Sequence, residues 1–126
     1  MKKSLFVIVL LSLFVTGCNS EKAQTLQAFW EEANIENVES IVIVDGSTGE
    51  SKTMSDPEQI EVFLSSIQDV QFTPQKNQEP RAGWRYNITL MDEDEQFQFE
   101  TREIDGIYYD TSTDLSPIVE EYFKQL

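Results

Sequence analysis

Cys18 is the single cysteine of a 126-residue chain. It closes an apolar run at Val15-Thr16-Gly17-Cys18. A thiolate is a strong nucleophile, so a cysteine placed there is a candidate for acylation. The other reactive groups are mostly carboxylates: 23 Asp and Glu stand against nine Lys and Arg, and there is no His. The commonest general base and metal ligand is therefore missing. No glycine-rich phosphate loop follows a strand pattern, and no nucleophile elbow occurs. A carboxylate pair suited to acid–base work could exist, but in so acidic a chain closeness in sequence carries little information. The expectation is a protein that is not an enzyme, with no catalytic residue, no metal site and no cofactor.

Two acidic clusters and one basic one remain. Asp92-Glu93-Asp94-Glu95 is the densest. Asp92, Asp94 and Gln96 echo the first alternating ligands of a calcium loop, with Glu103 at the twelfth position, but Phe97 stands where the sharp-turn glycine belongs. This cluster and the Asp45–Glu50 turn are read as solvated turn tips. Arg81, Trp84, Arg85 and Tyr86 place two cations beside two aromatics. Trp84 and Tyr86 are expected in the core, with the arginines neutralising nearby acids. If the domain has a binding face, Arg81, Trp84 and Arg85 mark it, because an irregular loop carried on a rigid sheet is the usual seat of recognition.

The elements that must position these groups begin with the leader. Lys2 and Lys3 form a positive start, and Leu5–Thr16 is an apolar stretch of about a dozen residues, short of the ~20 that a membrane-crossing helix needs. It reads as the apolar region of a secretory signal. Its end looks like a lipobox, the recognition sequence of bacterial lipoprotein processing. Cleavage is expected before Cys18, leaving residues 1–17 as signal peptide, residues 18–24 as lipidated cysteine (a palmitate-type anchor) and tether, and residues 25–126 as one domain. Two or three acyl chains on one residue suffice for durable anchoring. The expected location is the extracytoplasmic face of the cell membrane.

Beyond the leader seven basic side chains face all 23 acidic ones. Such a body is repelled by nucleic acid and by anionic headgroups, so nucleic acid is not expected as a partner.

Leu26, Phe29, Trp30 and Ala33 form the stripe of a short amphipathic helix. Val38–Val44 reads as a strand, Asp45–Gly49 as a turn and Glu50–Met54 as the returning strand. Ser55 or Asp56 caps a helix with Pro57 in its first turn and Ile60, Phe63, Leu64 and Ile67 inward. Val70–Thr73 is a short strand, and residues 74–83 are a loop. Trp84, Tyr86, Ile88 and Leu90 alternate with polar residues, the pattern of a half-buried antiparallel strand. Phe97, Phe99 and Thr101 return from the acidic turn. Asp105-Gly106 turns into a strand through Tyr109, and Thr113 or Asp114 caps a last helix. The fold class expected is α+β: a mainly antiparallel sheet of about five to six strands with two to three helices packed on it.

Val38 to about Tyr109 resembles a family of small extracytoplasmic domains from Firmicutes, found in short lipoproteins and attached to membrane-bound sensors of the BlaR/M56 peptidase type. The likeness is carried by Ile43-Val44-Asp45-Gly46-Ser47-Thr48-Gly49, by Ser55, Asp56 and Ile60 at a helix start, by Ala82-Gly83-Trp84-Arg85-Tyr86, and by Tyr108-Tyr109. It implies an outward-facing sensing or binding domain and assigns no functional residue.

The function expected is a membrane-anchored lipoprotein whose domain binds or senses a cell-surface protein, peptide or wall component. The alternative is an acidic cation-binding or envelope-stabilising lipoprotein.

Overall fold

The computed structural model describes residues 23–81 and 83–126. The expected signal peptide, Cys18 and the expected tether up to Lys22 lie outside the described residues. Among the described residues no helix is long and apolar enough to cross a membrane.

The elements run β1 (Gln24–Thr25), α1 (Leu26–Glu32), β2 (Ser40–Asp45), β3 (Ser51–Met54), α2 (Pro57–Ile67), β4 (Gln71–Pro74), β5 (Tyr86–Met91), β6 (Gln96–Glu100), β7 (Glu103–Ile104), β8 (Ile107–Thr111) and α3 (Leu115–Gln125). The class is α+β with antiparallel pairing throughout. The strands form two four-stranded sheets, ordered β3-β2-β5-β6 and β1-β4-β8-β7, where the sequence suggested a single sheet. Six strands have four residues or more. The other two, β1 and β7, are two-residue pairings too short to leave a period-2 signal. Gln24, expected in the tether, pairs with Phe72 instead.

The first sheet follows from side-chain alternation. Ile41 and Ile43 of β2, Ile88 and Leu90 of β5, and Phe97 and Phe99 of β6 all point inward and are buried. Registers Ile41↔Leu90↔Phe97 and Ile43↔Ile88↔Phe99 stack them in two cross-strand rows. A one-residue slip would turn every one of them to solvent, which pins the register.

The helices start where short polar side chains replace missing backbone partners. Thr25 accepts from the Ala28 N–H, Asp56 from that of Gln59, and Asp114 from that of Ser116. Substituting such a cap by Ala costs about 1 kcal/mol. Helix α1 lays Phe29 edge-on against Phe72 and Tyr109 of the second sheet. Helix α3 sets Tyr122 against Phe63 of α2 and Phe123 against Tyr86 of β5. One continuous core results, from Leu26 and Trp30 to Phe123.

Candidate functional site

The chain passes from one sheet to the other at Glu100–Glu103, where β6 ends and β7 begins. A cleft of about 320 Å³ opens at this crossing. Arg81, Trp84 and Arg85 line it, together with Arg102, Tyr108 and the Glu100–Glu103 corner. The structure thus brings together the three residues singled out in the sequence and adds a fourth, Arg102, that the sequence reading passed over. Arg102 sits in what read as a continuing strand. Its signal was rarity: the chain has three arginines, and all of them line this cleft.

Trp84 corrects an expectation. It does not plug the core but is 41% exposed. The strand begins at Tyr86, so the alternation that buries Tyr86, Ile88 and Leu90 does not reach back to Trp84. The chain enters through Gly83 at φ +86°, a left-handed conformation that glycine adopts without strain. It then lies across the β2–β3 turn, where the Gly46 N–H donates to the Arg85 carbonyl at 2.7 Å. A Cβ on Gly46 would fall on the Trp84 carbonyl oxygen and 2.7 Å from the ring carbon Cε3. Gly46 is glycine because the Trp84 backbone and ring occupy the space a side chain needs.

The β2–β3 turn is itself braced from within. Asp45 Oδ1 accepts from both the N–H and the hydroxyl of Ser47, at 2.8 and 2.7 Å. Those bonds, with Arg85 nearby, hold its carboxyl below the usual carboxylate range. Asp92 is used in the same way at the other turn. Its carboxylate accepts the N–H groups of Glu36, Asn37 and Glu93 at 2.7–3.0 Å, which lowers its pKa. Both acidic clusters of the sequence therefore supply carboxylates that complete backbone hydrogen bonding. Among the described residues no three acidic side chains are grouped to hold a metal ion.

The loop after β4 is fixed to β8. The Gln78 amide acts as a strand substitute, accepting from the Tyr108 N–H at 2.8 Å and donating to the Tyr108 carbonyl at 3.0 Å. Gln75 donates to the Tyr109 carbonyl. The Tyr108 hydroxyl accepts the Arg81 N–H, and the Arg81 guanidinium stacks over the Tyr108 ring at 4.4 Å. Glutamine side chains thus tie residues 75–81 to β8, a property that composition does not reveal.

The Arg81 guanidinium donates to Gln75 Oε1 and to the Asn77 carbonyl, whereas the other two arginines are loosely paired. Arg85 stands 3.7 Å from Glu120 and 4.0 Å from Asp45, and Arg102 stands 3.8 Å from Asp110. The Arg85 and Arg102 side chains are 48% and 62% exposed. Ion pairs of this length and exposure are worth about 0–1 kcal/mol, so they exchange readily for a better-placed anion.

Glu100 shapes the cleft's charge. Partial burial and a hydrogen bond with Glu103 push its pKa up from 4.5 to about 7, against the Asn87 amide, which favours the charged form. The Glu100 carboxyl therefore stays partly protonated up to neutral pH. Between pH 4.5 and 7 the folded state keeps a proton that the unfolded chain has lost, so this group's contribution to stability falls as pH rises through that window. Glu100→Gln, which keeps a donor, should match the parent in chemical denaturation at pH 4. At pH 8 it should exceed the parent by ~1 kcal/mol, a figure reduced for the solvent screening of a half-exposed group. Equal stabilities at pH 8 would show that the Glu100 pKa is not raised in the folded protein.

No family model matches the chain, and comparison with curated proteins and with solved structures likewise finds no match.

Proposed function

We propose that this chain is a lipid-anchored extracytoplasmic protein whose domain is a non-catalytic binding or sensing module, with the Arg81–Trp84–Arg85 cleft as its recognition face. The observation that carries the reading is Trp84: a large aromatic held half out of the surface by the Gly46 turn, flanked by arginines, at the mouth of a cleft. Tryptophan and arginine are the residue types most enriched where binding energy concentrates. A protein gains nothing in stability from leaving an indole exposed, so its placement favours a contact outside the chain. The likeness to domains attached to membrane sensors points the same way. The Glu100–Glu103 pair lends little to a glycosidase reading, because its carboxyls are hydrogen-bonded to each other. A glycosidase keeps its two at about 5 Å or more.

Attachment rests on Cys18. Cys18→Ala should leave the protein unprocessed or release it from the membrane fraction, read by fractionation and by the mass of the amino-terminal peptide. Normal processing and retention would remove the anchor from the proposal. The binding face is tested by a photo-crosslinking residue in place of Trp84 in intact cells. An adduct of defined mass should form and be lost when Arg81 and Arg85 are both changed to Ala. If no adduct rises above background, or if it survives the double substitution, the face is not where binding occurs.

A further inference from the structure

Strand β6 is an edge strand, and a groove of about 490 Å³ runs along it, walled on the far side by Ala33, Asp105 and Gly106. The hairpin register fixes which backbone groups face this groove. Asp92 and Glu95 exchange both of their N–H···O bonds, at 2.9 and 3.2 Å, which makes them a bonded pair closing the turn. Bonded and non-bonded pairs alternate along an antiparallel ladder. Leu90↔Phe97 and Ile88↔Phe99 are then the bonded pairs with β5. The N–H and C=O groups of Gln96, Gln98 and Glu100 point away from β5, toward the groove. They have no backbone partner outside the strand among the described residues.

Groove and arginine cleft adjoin, since Glu100 and Glu103 line both. A free row of strand donors and acceptors thus leads directly into the place where the chain collects its three arginines. In a chain with 23 acidic side chains, that concentration is the complement of a negative charge. Arginine's planar fork matches a carboxylate through two parallel hydrogen bonds. An exposed edge strand matches only an extended backbone. Inorganic anions would use the first feature and ignore the second. Partial burial and Glu103 push the Glu100 pKa up to about 7, which weakens the repulsion Glu100 would exert on such a ligand near neutral pH.

We infer that the domain binds an extended peptide segment by adding it as a strand to β6, with a carboxylate of that peptide held in the cleft by Arg81, Arg85 and Arg102. This inference rests on the proposed binding role of the same face and names its ligand. The carboxylate is either a free chain end or an Asp or Glu side chain. A strand added parallel to β6 brings its carboxyl end to the cleft; one added antiparallel presents a side chain there.

The test uses the full-length protein in detergent and two heptapeptide libraries of random sequence, one with free carboxyl ends and one amidated. Selection from the free-end library alone assigns the chain-end carboxylate. Selection from both libraries with Asp or Glu enriched at one position assigns the side chain. Either result supports the inference if two substitutions weaken the selected peptide roughly tenfold or more. Arg102→Gln removes a fork. Gln98→Pro removes one outward N–H, at an edge position where proline is tolerated. Failure to select any peptide, or selection of basic peptides, would overturn it. So would unchanged affinity in Gln98→Pro together with competition by millimolar inorganic phosphate, which would describe a simple anion site. A Trp84 crosslink in cells that depends on Arg81 and Arg85, with no peptide selected, would sink the peptide inference and leave the binding face standing.

Discussion

Gly46→Ala should lower the thermal midpoint and reshape the recognition face in one step. The new methyl would collide with a carbonyl oxygen of the Trp84 backbone, which cannot swing aside as a flexible side chain would. Relief requires Trp84 and its neighbours to move, at the expense of the hydrogen bond from the Gly46 N–H to the Arg85 carbonyl. Forcing an extra carbon into an occupied contact costs about 1–3 kcal/mol, and more where backbone must shift. For a domain of this size each kcal/mol is worth roughly 4–8 °C in Tm. The displaced indole should also change its acrylamide quenching, and the second tryptophan, Trp30, is buried and reports little. Gly83→Ala is the control. A Cβ at Gly83 meets nothing within 4 Å, so its cost comes from φ +86° alone, about 1–2 kcal/mol. A Gly46→Ala protein that melts and quenches like the parent would mean that Trp84 does not rest on this turn, and the proposed face would lose its geometry.

Phe72→Ala should cost more stability than any surface change described above. Phe72 is fully buried at the meeting point of α1, β4 and β8. Its ring packs edge-on against Phe29 at 6.0 Å and Tyr109 at 5.6 Å, and those two also meet at 5.6 Å. Truncating a buried Phe to Ala removes transfer energy and leaves a cavity, together about 3–5 kcal/mol. Total stability for such a domain is about 5–15 kcal/mol, so the variant stands near the threshold of folding. Tm should fall by more than about 10 °C, and the second sheet should lose amide-exchange protection before the first, since Phe72 joins β4 to α1 and β8. Phe72→Leu should recover much of the loss. A Phe72→Ala domain within about 1 kcal/mol of the parent would mean that this aromatic cluster does not hold the second sheet.

Features governed by near neighbours in the chain were legible without the fold. The cap at Asp56 followed by Pro57, the alternation from Tyr86 to Leu90, the turn at Asp92–Glu95 and the Asp105-Gly106 turn all stand as expected. Each depends on residues a few positions apart, and backbone sterics or a single hydrogen bond decide it. Period-2 alternation failed at Trp84 for a physical reason. Alternation describes a chain already in a ladder, and Trp84 lies before the ladder starts, placed by a glycine 38 residues earlier in the sequence.

The same distinction separates what composition says about the site from what folding adds. The sequence by itself determined a lone Cys18 at the end of an apolar run, an acidic body without histidine, the α+β class and a suspect loop around Arg81, Trp84 and Arg85. Tertiary structure decided the division into two sheets, because pairing β4 with β8 and β2 with β5 depends on contacts between distant segments that no local pattern encodes. It also decided that Asp45 and Asp92 serve the backbone, since their partners are N–H groups that only the folded turns present. Finally, it placed Arg102 beside Arg81 and Arg85. Charge repels and attracts through space, and only the crossing of the chain between the two sheets brings the three guanidinium groups to one cleft.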